Sequence, residues 1–193
     1  MVKFEKVKKI VVSNPKNASV KSDTIQAIPK ELLPLAAEAR MYKSAEEFVK
    51  VMSTNYVGKQ GDFSISPLEV ANEVDDGYWQ KITDVLPEER DNFLGKDTNY
   101  YTPIIGNKLT IYRATEGNTI RAGDYVTNNK KYATMHLKDI MGGEGNLLQK
   151  EISADELLCA GSTNEFLYAP KWIRNFKTKQ QFIDFYSKVV EQN

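Results

Sequence analysis

Residues 108–127 read KLTIYRATEGNTIRAGDYVT, and the alternation in its first eight positions decides the fold class. Leu109, Ile111 and Arg113 fall on one side of an extended chain and Thr110 and Tyr112 on the other, the period of two that a half-buried strand requires. Upstream of this stretch the patterns are helical. From it onward, short strands and short helices take turns. The expected class is α+β, with a mostly helical N-terminal region ahead of a sheet-containing C-terminal half.

Working downstream, GDYVT (123–127) follows a Gly-Asp turn and reads as a second strand, and NNKKYATMH (128–136) reads as a short helix. The turn GGEGN (142–146) leads into a third strand, NLLQKEIS (146–153), and DELL (155–158) begins a further helical piece. NEFLYAP (164–170) is a fourth strand by its aromatic content, stopped by Pro170. Thr178 and Gln181 then open a final helix in a capping-box pattern. Its apolar stripe is Phe182, Phe185, Tyr186 and Val189.

Upstream, ELLPLAAEARMYK (31–43) predicts a helix interrupted near Pro34, and SAEEFVKVM (44–52) a second one capped by Ser44 and Glu47, with Phe48, Val51 and Met52 as its apolar face. In SISPLEVANEV (64–74), Ser66 suits the cap, Pro67 the first helical position and Glu69 the capping box; Leu68 and Ala71 share a side. Pro87 and EERDNFLGK (88–96) give one more short helix with Gly95 as its stop. Residues 1–30, rich in Ser, Asn, Lys and Pro from 13 onward, read as an extended arm; 31–102 form the helical accessory region and 103–193 the sheet-bearing domain.

A chain of 193 residues has room for one sizeable core, or a core and a smaller accessory region. Lys and Arg number 26 and Asp and Glu 26, so no global field draws the protein onto phosphate backbones, and nucleic acid is unsupported as a partner. The basic start, Lys3, Lys6, Lys8 and Lys9 around Glu5 and ahead of Ile10–Val12, reads as a solvated strand edge. Neither a signal peptide nor an apolar run of roughly 20 residues is present, so a cytoplasmic location is expected. A single Cys159 and a single His136 exclude a Cys/His zinc site within one chain. The acidic group Glu73, Asp75 and Asp76 reads as helix-end solvation, and GGEGN lacks the Lys-Ser/Thr ending of a phosphate loop.

Three residues stand out for chemistry: Arg113 within an apolar strand, Thr127 at the end of the next, and Glu165 opening a late one. IYRAT, GDYVTNNKKYA and NEFLYAP, in that order, resemble the strand arginine, the Ser/Thr strand end and the glutamate-led strand of ADP-ribosyltransferases of the arginine-serine-glutamate class. IRAGDYVTNNKKYATMH together with KEISADELLCAGSTNEFLYAP also resembles transferase-like domains within large phage-encoded proteins, for which the location would be the host cytoplasm. The resemblance spans roughly residues 107–172.

It implies a split β-sheet core and NAD as the substrate, with ADP-ribose passed to a macromolecular, most naturally protein, acceptor. Cleaving the nicotinamide–ribose bond develops positive charge on the ribose, which a carboxylate stabilises; Glu165 takes this role. Arg113 would bind pyrophosphate or ribose through its planar fork, Thr127 would orient Glu165 or the ribose, and Tyr132 would stack on nicotinamide. Where many members have Glu or Gln two residues before the catalytic glutamate, this chain has Thr163, which cannot act as a base. Arginine as acceptor therefore does not carry over.

Each residue has a structural reading as well. Arg113 pairs with Glu116 or Asp124 at a strand edge, Thr127 caps the NNKKYA helix, Tyr132 belongs to the core, Glu165 is a surface carboxylate, and His136 is structural. On those readings the chain is a non-catalytic interaction module that retains the transferase-like fold.

Overall fold

The computed structural model describes residues 28–58, 62–75, 79–85, 105–159 and 165–191. The expected arm over 1–27, the helix at 88–96 and Thr163 lie outside them. Helices and sheets are both present, as the α+β class requires. No helix among the described residues is long and apolar enough to cross a membrane.

The helical region begins with a 3-10 turn, Lys30–Leu32, that runs into α1, Leu33–Ala39. Pro34 does not interrupt this helix as expected. It sits in the first turn, where a missing N–H costs nothing. Helix α2, Ala45–Met52, starts at Ser44, whose hydroxyl accepts from the Glu47 N–H at 3.3 Å. The Glu47 carboxylate returns to the Lys43 N–H instead of closing the expected box on Ser44. Phe48, Val49 and Met52 are its buried face, with Val49 in the place expected of Val51. Strands β1 (Tyr56–Val57) and β2 (Phe63–Ser64) pair in a hairpin before α3, Pro67–Asp75, which the Ser66 hydroxyl caps at the Glu69 N–H.

The sheet strands are β3 (Gln80–Lys81), β4 (Lys108–Thr115), β5 (Tyr125–Val126), β6 (Asn146–Ser153), β7 (Leu157–Cys159) and β8 (Phe166–Tyr168). DELL is not helical throughout: a 3-10 turn, Ala154–Glu156, gives way at Leu157 to a strand, because Leu157 and Leu158 pair with Tyr168 and Leu167. Helix α4, Lys130–Met135, lies between β5 and β6, and α5, Lys179–Tyr186, starts with the expected Thr178–Gln181 box and runs into a π turn, Ser187–Glu191.

Four strands form an antiparallel sheet in the order β3-β7-β8-β5, and β4 and β6 form a separate antiparallel ladder. The two meet at one bridge, where Tyr112 and Thr127 exchange backbone bonds of 2.7 and 3.0 Å. Among the described residues the ladder and the four-stranded sheet share no other strand pairing.

Strand alternation sends the four-stranded sheet's two faces into two cores. Leu158 and Leu167 face a helical layer built from α1, α2, α3 and α5, where Phe48, Phe176 and Phe182 interlock. Leu157, Phe166 and Tyr168 face Leu109, Ile111 and Ile152 of the ladder. Residues from the expected accessory region and from the C-terminal half thus share the first core, and β3 adds the former's chain to the latter's sheet.

Gly123 makes the approach to β5 possible. Its φ is +86°, and a Cβ there would stand 1.9 Å from the Ile65 carbonyl oxygen, so only glycine fits. The next residue is Asp124.

Candidate active site

The cleft opens where β4 and β5 part after the Tyr112–Thr127 bridge. Leu109 and Ile111 spend the inward face of β4 on the core, and the next inward residue, Arg113, reaches the gap while remaining 5% exposed. Its Nη1 donates to the Tyr125 carbonyl at 2.8 Å; its Nη2 donates to Asp62 Oδ1 at 2.6 Å, Ser64 Oγ at 3.0 Å and the Phe63 carbonyl at 3.2 Å. Nε lies 3.4 Å from Asp124 Oδ2, an ion pair without hydrogen-bond alignment.

Both aspartates are spoken for from behind. Asp62 Oδ2 accepts from the Thr115 hydroxyl at 2.8 Å and the Glu116 N–H at 2.9 Å. Asp124 accepts from the Ser64 hydroxyl and the Arg121 N–H. Burial raises the Asp124 pKa above the ordinary carboxylate value; Arg113, Ser64 and the Arg121 N–H oppose the shift, and Asp62 adds to it. One guanidinium thus faces two carboxylates. Of the structural readings, the Asp124 pairing is present, and Asp62, which no local pattern marked, is the closer partner.

Glu165 is half-buried and immediately precedes β8. Its Oε1 accepts from the Tyr132 hydroxyl at 3.2 Å. Burial, and then the Glu165 charge, push the Tyr132 phenol upward. Tyr132 is fixed by the start of its helix: Asn129 Oδ1 accepts from the Tyr132 N–H at 3.0 Å, and Thr127 Oγ1 accepts from the Asn129 N–H at 3.1 Å. The cap of α4 is therefore Asn129, and Thr127 shapes the turn before it. Strand end, turn, helix and carboxylate are joined by successive hydrogen bonds.

Arg113, Thr127, Tyr132 and Glu165 line a single cleft of about 250 Å³. Two further residues of its wall are Asp62, which the sequence reading did not single out, and His136, which it set aside as structural. Nothing in KQGDFS distinguishes Asp62, but His136 follows Tyr132 by four positions, a spacing that places both on one side of a helix. Tyr132 meets the carboxylate with its hydroxyl, so its ring is neither core filler nor isolated. A second cleft of about 400 Å³ lies beyond Arg113 and Asp124 and includes Glu38 and Arg121.

Other chemistries find less here. Among the described residues, no group of three or more His, Cys, Asp and Glu side chains is placed to hold a metal ion. Cys159 is buried, and desolvation pushes its thiol up to about 11, which keeps it protonated and poorly nucleophilic at neutral pH. No family model, curated protein or solved structure matches the chain.

Proposed function

We propose that the chain is an NAD-dependent ADP-ribosyltransferase with a split-sheet core, in which Glu165 stabilises the charge that develops as nicotinamide leaves. The carrying observation is the convergence of Arg113, Thr127, Tyr132 and Glu165, up to 52 positions apart, on one cleft at the split between the two ladders. A carboxylate held by a phenol hydroxyl is preorganised for a cation that exists only in the transition state.

The cleft suits part of the substrate. About 250 Å³ is slightly below the roughly 300–1,000 Å³ of drug-sized sites, room for the nicotinamide and its ribose. The pyrophosphate fits less well at Arg113, whose single positive charge is shared by Asp62 and Asp124. On this reading Arg113 holds the cleft wall, and the phosphates lie nearer the rim, where Lys130 stands over the Tyr112 ring. The helical layer then selects the acceptor. Incubation with NAD labelled in its adenosine half and a cell lysate tests the reading: the label moves onto a macromolecule, and a lysate left unlabelled speaks against transfer.

The specific observation that favours a non-catalytic interaction module is the same neutralised Arg113. Beside it, the β1–β2 hairpin exposes Tyr56, Val57 and Phe63, a surface such a module would use.

A further inference from the structure

We infer that His136 is the base that removes the proton from a hydroxyl acceptor in this cleft, an inference that rests on the transferase reading and names its acceptor class. His136 lines the cleft together with Tyr132 and Glu165. At His136 the backbone changes from α4 to a π turn, His136–Ile140, closed by the Met141 N–H donating to the His136 carbonyl at 3.1 Å. Such turns are rare and frequently found at functional sites, although the chain has a second one, Ser187–Glu191, outside the cleft. The first of the two begins at a residue that lines the cleft.

The other groups around the cleft are unsuited to the task. Asp62 has both oxygens engaged by Arg113, Thr115 and the Glu116 N–H, and its side chain is fully buried. Arg113 has no acceptor lone pair. Phenols ionise near pH 10, and Tyr132 is pushed higher still. Glu165 is committed to the ribose. His136 is the chain's single histidine, and a neutral imidazole carries one ring nitrogen able to accept a proton.

The ionisable groups that share the cleft with it are Tyr112 and Arg113 from β4, Tyr125 from β5, Asp62 ahead of β2, Glu165 ahead of β8, and Tyr132 on its own helix. Lys138 and Asp139 follow it in the π turn.

The step balances simply. The bond between ribose C1′ and the nicotinamide nitrogen breaks, and its electron pair leaves with nicotinamide, which turns from cation to neutral. The acceptor oxygen bonds to C1′ while its proton passes to the unprotonated ring nitrogen of His136 and then to solvent. A hydroxyl proton becomes acidic as that bond forms, so a weak base suffices. A guanidinium acceptor keeps its proton across the whole pH range in which proteins stay folded, beyond the reach of imidazole. Water is the simplest hydroxyl and supplies the readout.

The test is nicotinamide release from NAD in water between pH 5 and 9, using the full chain, His136→Ala, His136→Gln and Glu165→Gln, with NAD affinity measured by calorimetry and folding by thermal melting. In the parent, kcat rises with pH as the base loses its proton. Both His136 variants melt normally, bind NAD as the parent does, lose that limb and turn over at least about 100-fold more slowly. Added imidazole restores His136→Ala in proportion to its free-base concentration. Variants with the parental rate and profile, or a loss that imidazole does not rescue, overturn the inference while Glu165-dependent cleavage keeps the transferase reading. A parent that neither binds nor cleaves NAD removes both.

Discussion

Arg113 Nη2 and Asp62 Oδ1 are 2.6 Å apart across 51 positions of sequence, with the arginine side chain 5% exposed and the aspartate side chain fully buried. The pair fastens the segment before β2 to the end of β4, and Asp124 fastens the start of β5 to the same guanidinium. Breaking a buried pair leaves a charge without its partner, at a cost of about 3–5 kcal/mol. Asp124 still faces Arg113, which places Asp62→Ala near the lower end, about 3 kcal/mol in urea denaturation. A loss below about 1 kcal/mol, the scale of exposed pairs, is incompatible with this role.

Tyr132→Phe removes the one hydroxyl shown donating to Glu165 and keeps the ring. Its effect on stability is within about 1 kcal/mol, since a single partly exposed hydrogen bond is lost. Its effect on NAD cleavage is larger in kcat than in KM, on the order of ten-fold, which corresponds to about 1.4 kcal/mol of transition-state stabilisation. Unchanged kcat in a folded Tyr132→Phe variant argues against the phenol as the holder of Glu165.

Glu38, beside the second cleft, has its pKa raised chiefly by burial; Arg121 and Lys150 pull the other way, and Asp124 adds to the rise. Folding therefore favours its protonated form. The stabilisation from that proton is complete below the unfolded glutamate value of about 4.3 and is lost as pH rises through the higher folded value. Glu38→Gln keeps the shape without the charge. It is more stable than the parent at pH 8, and the difference shrinks as pH falls toward 4. A difference that stays constant from pH 4 to pH 8, read by denaturation at each pH, rejects the burial argument.

The sequence patterns revealed β4 and β6 because each keeps strand character over eight residues and pairs along its whole length. Helix starts were legible at Ser44, Ser66 and Thr178, which each bond within three residues, whereas the cap of α4, expected at Thr127, is the equally local Asn129. Locality also misled. Glu156 returns to the Ser153 N–H at 3.0 Å, as a helix start should, but the signal supports only a three-residue turn before pairing with β8 recruits Leu157 and Leu158. Arg113, Thr127, Tyr132 and Glu165 could be singled out from strand ends and an ordered resemblance. Asp62 could not, since its meaning arises from a contact that no short pattern encodes. His136 carried a usable signal in its spacing from Tyr132.

In the proposed function Glu165 serves the transition state of nicotinamide loss. Gln at this position keeps the shape and the reach to Tyr132 but not the charge. The direct measurement is the rate of nicotinamide release from NAD by the parent and by Glu165→Gln at equal, saturating NAD, with affinity measured on the same preparations. Affinity is expected to change less than about three-fold while kcat falls by at least about 100-fold. Equal rates in the two proteins, or an absence of NAD binding and cleavage in the parent, contradict that role for Glu165.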